Sequence, residues 1–191
     1  MKPNLYIISG CNGAGKTTAS FNILPEILSC KEYVNADEIA RGISPFQPEK
    51  VAIESGRIML KRIDELLENN ETFAFETTLA TKSFESLITK AKATGYFVNL
   101  IFYWLESVEL AEMRVKTRVA EGGHNIPKDV IHRRYFRGID NLFKIYHDIC
   151  DLVVIYDNSK NLPELIYQRK EEDDIKIFNK RKFESIKSMM L

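Results

Sequence analysis

The residues best equipped for chemistry begin at Gly10-Cys11-Asn12-Gly13-Ala14-Gly15-Lys16-Thr17, a match to G-x-x-x-x-G-K-[ST]. Successive backbone N–H groups from Gly13 to Thr17 would form an anion nest, and a helix starting there adds its partial positive charge. Glycines at 10, 13 and 15 allow a close approach that a Cβ would block. Lys16 has the reach to meet the β- and γ-phosphates, and the Thr17 hydroxyl can ligate Mg²⁺. A chance match somewhere in a chain of this length is roughly 1 in 150. The loop therefore names ATP and Mg²⁺ as cofactors, held by Gly10, Asn12, Gly13, Ala14, Gly15, Lys16, Thr17 and Thr18.

Phosphoryl transfer also needs a proton acceptor, a metal environment and cations over the moving phosphoryl. Asp37, in Asn35-Ala36-Asp37, is placed for a base facing an acceptor hydroxyl; Asp37 or Asn35 could also serve only as an N-cap. Glu76 and Thr77 close the apolar run Phe73-Ala74-Phe75 and are candidates to hold the acceptor. Glu76 could instead bind a water on Mg²⁺, or be a solvated carboxylate at a strand end. No aspartate in the manner of a second metal-binding motif follows an apolar run, so Thr17 is the metal candidate. Arg114 and Arg118 stand at i, i+4, as do Arg133 and Arg137, on either side of Gly122-Gly123-His124-Asn125. Two cationic helices joined by a flexible turn describe a lid over a triphosphate, with Arg118 nearest the hinge. The alternative is a solvated face paired to Glu112, Glu121 and Asp129. His124 is either a lid contact to phosphate or a loop histidine in water.

The elements that must position these groups alternate. Leu5–Ser9, Tyr33–Val34, Thr72–Phe75, Phe97–Leu105 and Leu152–Tyr156 read as short strands. Helical patterns separate them: one from Thr17 to about Ser29, interrupted near Pro25, then Val51–Asn69, Ser83–Thr94, Val108–Ala120 and Pro127–Ile149. That order spells an α/β fold: a P-loop NTPase with a mostly parallel sheet, helices on both faces and a helical lid. Ligands in such sheets sit at the strands' carboxyl ends, where the loop, Asp37, Glu76, Glu106 and Asp157 all fall. Leu165–Tyr167 and Ile175–Phe178 read as a hairpin and Lys180–Met190 as a last helix. The expectation is one domain over 1–191, with a core of about 4–159 and an appendage of about 160–191.

The chain has 191 residues and a formal net charge of zero. Neither nucleic acid nor a membrane is called for as a partner by that balance. No run of 18 apolar residues occurs, and the three cysteines are scattered, which fits reduced thiols in the cytoplasm. His147 and Cys150 at i, i+3 lack a second ligand pair and read as packing residues. Asn179-Lys180-Arg181-Lys182 lacks the aspartate that a guanine-reading N-K-x-D requires. A nucleotide-binding switch without an acceptor remains the reading from another class.

Gly10–Thr17, Asn35–Asp37, Phe75-Glu76-Thr77-Thr78-Leu79 and Arg118–Pro127 together resemble the zeta-toxin family of P-loop kinases. The resemblance implies an adenylate-kinase-like core and phosphorylation of a small-molecule hydroxyl, in the characterised toxins the sugar 3′-hydroxyl of UDP-N-acetylglucosamine. It also implies an antitoxin as partner. Residue by residue, it makes Lys16 and Thr17 the ATP and Mg²⁺ ligands, Asp37 the base, Glu76 a substrate-site glutamate and Arg118 the cation on the transferring charge. This chain carries His124 where the toxins carry a second catalytic arginine, and it is shorter than the long toxins.

Overall fold

The computed structural model describes residues 2–123, 125–170 and 174–191. Strand β1 (Asn4–Gly10) feeds the glycine loop and helix α1 (Lys16–Ile23). There follow β2 (Glu32–Val34), α2 (Ala36–Ile43), a 3₁₀ turn Pro48–Val51, α3 (Ala52–Glu68), β3 (Phe73–Thr77), α4 (Phe84–Ala93) and β4 (Phe97–Trp104). Next come α5 (Val108–Ala120) and α6 (Lys128–Asn141), then a π-helical turn Leu142–Tyr146 and the short α7 (His147–Ile149). The chain ends through β5 (Leu152–Asp157), β6 (Glu164–Lys170), β7 (Asp174–Ile177) and α8 (Lys180–Ser188).

The strands form one seven-stranded sheet in the order β2-β3-β1-β4-β5-β6-β7. The first five are parallel, and the last two add on antiparallel. Unbroken apolar runs such as Leu5–Ile8 and Phe73–Phe75 are buried on both faces, as parallel strands covered by crossover helices must be. The chain leaves β1 for β2 and β3 on one side and for β4 on the other. This opens a crevice beyond the carboxyl end of β1. The register pairs Ile8 with Glu76 and Gly10 with Tyr103, so Glu76 is delivered beside the loop.

Several boundaries differ from the sequence expectation. Helix α1 stops at Ile23 instead of running to about Ser29, because Pro25 cannot donate to the helix ladder. Asn35, not Asp37, is the N-cap of α2: its Oδ1 accepts the N–H of Asp37 at 2.8 Å. The Gly122-Gly123 pair has a local structural role. Gly122 takes φ +89° and Gly123 N–H donates to Arg118 C=O at 2.8 Å, the bonding that closes a helix on a left-handed residue. The tail hairpin continues the main sheet through β5, and Asn179 caps α8 by accepting from Lys182 N–H.

The tail is tied in by charge. Asp157 is 2% exposed, and its carboxylate accepts from Lys182 of α8 and from Ser159. Burial alone would raise its pKa, but the Lys182 ammonium and the Ser159 donors outweigh this and hold it below the ordinary carboxylate value. Lys182→Ala should therefore cost about 2 kcal/mol, read as a lower melting temperature at neutral pH. A depressed carboxylate contributes stability above its unfolded pKa and loses it as pH falls through the folded value. The gap between variant and wild type should thus close only in strong acid. An unchanged melting temperature would show that the ion pair does not anchor the tail.

Cys11, Cys30 and Cys150 are free and buried. Burial pushes their thiols up to about 11, 11 and 12 respectively. At pH 8 the native protein should react with a chromogenic disulfide at least about tenfold more slowly than the unfolded chain, which should titrate all three. Fast native labelling would contradict this packing.

Candidate active site

The glycine loop is built by close packing. Gly10 has φ +137°, and a Cβ there would sit 2.2 Å from Tyr103 C=O, so this strand end accepts glycine alone. From the end of β5, Asn158 Nδ2 donates to Ala14 C=O at 2.7 Å and steadies the loop's far side. Helix α1 has no side-chain cap, leaving its first-turn N–H groups for an anion. Asn12 is buried, with its Oδ1 accepting from Arg134 Nη1 at 3.2 Å.

Glu76 stands at the centre of the site. Its Oε2 accepts from Thr17 Oγ1 at 2.8 Å, Tyr33 OH at 2.5 Å and Asn35 Nδ2 at 3.1 Å. Its Oε1 lies 3.6 Å from Lys16 Nζ, which also donates to Cys11 C=O at 2.9 Å. Burial first, then the Glu76 charge, push the Tyr33 phenol up, so it stays protonated and donates. Thr17 and Glu76 offer Mg²⁺ hard oxygen donors at the mouth of a phosphate loop, which suits an ion that fills its shell with water and phosphate oxygens. Among the described residues no three His, Cys, Asp or Glu side chains cluster to hold a metal.

Two hollows meet here. One, of about 180 Å³, is lined by Asn12, Gly13, Gly15, Lys16, Thr17, Thr18, Asp37, Glu76, Arg114 and Arg118. The other, of about 330 Å³, runs along α2 and takes in Ala36, Asp37, Glu38, Arg41, Glu49 and Arg118 as well as Thr17. Thr17, Asp37 and Arg118 line both. Asp37 is exposed, because Asn35 has taken over the capping.

The arginines sort differently from their sequence spacing. Arg118 lines both hollows and Arg114, which donates to Ser159 C=O at 3.0 Å, lines the phosphate hollow. On α6, Arg134 meets the loop, whereas Arg133 is exposed and Arg137 lines a separate hollow with Lys82 and Lys144. Burial lowers the Arg134 pKa from its ordinary value, against the opposing pull of Asp37. Neither Arg133 nor Arg137, both expected to reach phosphate, is among the residues lining the two site hollows; the helix's phase turns Arg134 to the loop. Glu112 pairs with Lys128 and His132, tying α5 to α6. Thr77 keeps its hydroxyl for Leu79 N–H, closing the turn after β3. His124 lies outside the described residues. Tyr33, Arg134 and Asn158 were missed by sequence reasoning; the one available signal was that Asn158 follows an apolar strand at its carboxyl end.

A family model described as Zeta toxin matches residues 1–179. The chain belongs to the zeta toxin family. By fold and family it is a P-loop kinase. A relative, an uncharacterised protein of Haemophilus influenzae, is 32% identical over 136 residues, covering 71% of this chain and 94% of that one. The fold is similar to the AvrRxo1-ORF1:AvrRxo1-ORF2 complex solved with sulphate ions, with a TM-score of 0.79, 18% identity and 100% of this chain covered. The chain spans 65% of the length of that structure's chain, and the same share of the one solved with ATP, at a TM-score of 0.78 and 17% identity. The PezAT toxin–antitoxin system of Streptococcus pneumoniae matches with a TM-score of 0.70 and 16% identity, covering 99% of this chain and 78% of that one. Among the described residues no helix is long and apolar enough to cross a membrane.

Proposed function

We propose that this zeta-toxin-family kinase transfers the γ-phosphoryl group of Mg-ATP to a hydroxyl of a small molecule, a nucleotide sugar such as UDP-N-acetylglucosamine being the first candidate. The observation that carries the reading is the junction of the two hollows at Thr17, Asp37 and Arg118. One hollow has the glycine loop and Lys16 that suit a triphosphate; the other has room for an acceptor.

In this reading Asp37 takes the acceptor hydroxyl's proton as its oxygen bonds to the γ-phosphorus. The bond from that phosphorus to the β,γ-bridging oxygen breaks, and ADP leaves. Lys16 and Arg118 offset charge on the transferring oxygens. Thr17 and Glu76 would hold Mg²⁺, which when bound would supply Lewis-acid charge to the phosphates. Helices α5 and α6 bring Arg114, Arg118 and Arg134 over the loop as a lid. An antitoxin partner is supported by the family and by the likeness to PezAT, and the buried thiols suit the reducing cytoplasm.

The test is ADP release from Mg-ATP with a panel of nucleotide sugars and simple sugars, products being read by mass spectrometry. A product heavier by one phosphoryl group is expected from at least one acceptor. ATP consumption that no acceptor stimulates would favour a nucleotide switch instead.

A further inference from the structure

Asn35 is 6% exposed and makes two kinds of contact with its one amide group. Its Oδ1 accepts from the N–H groups of Asp37 and Glu38, at 2.8 and 3.4 Å, and so starts α2. Its Nδ2 donates to Glu76 Oε2 and to Tyr33 OH, each at 3.1 Å. Capping uses the oxygen alone, and Asp or Ser would serve a cap equally well. The amide nitrogen is what singles out asparagine. It points into the cluster where Glu76 meets Thr17 and Lys16.

We infer that Asn35 is a positioning residue: it fastens the helix that carries Asp37 to the Glu76 carboxylate, and so sets the base's place relative to the phosphate loop. The inference rests on the kinase reading of Asp37 given above. Glu76 is the penultimate residue of β3 and Asn35 follows β2, two strands in parallel register through Val34 and Phe75. Strand pairing thus delivers both groups to one edge, and α2 packs on α3. The amide adds a direct tie from the start of that helix to Glu76, and Tyr33 OH braces both partners from the side. A shift of about 1 Å in a reacting group can cost roughly a hundredfold in rate, so a rigid tie of this kind has a direct catalytic consequence.

The test separates the cap from the tie. Asn35→Ser keeps a capping oxygen and loses the long amide. The readouts are melting temperature, ATP affinity by calorimetry, and ADP release from Mg-ATP, with UDP-N-acetylglucosamine as probe acceptor and with water alone. The expected result is kcat for ADP release lower by about tenfold or more, with KM for ATP within about twofold of wild type. Asn35→Asp also caps but sets a second carboxylate against Glu76, so it should lower the melting temperature. Wild-type kcat in Asn35→Ser, or a wild-type melting temperature in Asn35→Asp, would reduce Asn35 to a cap and overturn the inference. Asp37→Asn in the same assays judges the kinase reading separately: wild-type ADP release there would remove the base, whatever the Asn35 variants do to the melting temperature.

Discussion

Lys16→Ala should abolish measurable turnover and weaken Mg-ATP binding while leaving a folded protein. Lys16 is 5% exposed, with its ammonium held between Cys11 C=O and Glu76 at the base of the phosphate hollow. That placement aims a fixed charge at the β- and γ-phosphates, where removing a single oriented donor commonly costs about 10² to 10³ in rate. The burial of Lys16 against Glu76 adds a second consequence. Without Lys16 the Glu76 carboxylate keeps its Thr17, Tyr33 and Asn35 donors but loses its cation, for about 1–2 kcal/mol of stability. Calorimetric ATP affinity, melting temperature and ADP release measured together check this. A folded variant with wild-type phosphotransfer would end the phosphate-loop assignment.

Asp37→Asn should leave ATP affinity nearly unchanged and lower acceptor phosphorylation by about 10² to 10⁴, the usual contribution of a positioned general base. The structure sharpens this expectation. Asn35 holds the capping role, and the Asp37 side chain is exposed where the two hollows meet. Its replacement by an isosteric amide therefore touches neither helix start nor core, and the melting temperature should stay within about a degree. Acceptor-dependent ADP release at saturating ATP is the deciding measurement. Wild-type rates would move the base elsewhere, with Glu76 next in line.

Much of this was legible along the chain because it is local. The glycine loop's chemistry depends on eight consecutive residues and on the strand and helix that touch them, so pattern and context sufficed to name it. The parallel α/β architecture followed from apolar runs alternating with helical periodicity, and the family from motifs that recur at these spacings. Asp37 and Glu76 could be picked out as strand-end groups because a parallel sheet sends every such end to one edge.

Other features depended on distance relations that the chain order hides. Glu76 could be read as an acceptor ligand, a metal-water ligand or a solvated carboxylate; only the β1–β3 register, Ile8 opposite Glu76, brings it onto Thr17. Which arginines reach the loop is a matter of helical phase. One position on α6 turns a side chain by about 100°, which separates Arg134 on Asn12 from Arg133 in solvent. Asn35 and Asp37 competed for the same cap in the sequence because both residue types cap helices well. The fold settled that competition: the asparagine's second hand, its amide nitrogen, found Glu76 41 residues away, and the aspartate was left facing the hollow. Short-range patterning thus determined the loop, the sheet and the candidate groups, whereas register and helix phase, which act between segments far apart in the chain, decided which of them meet.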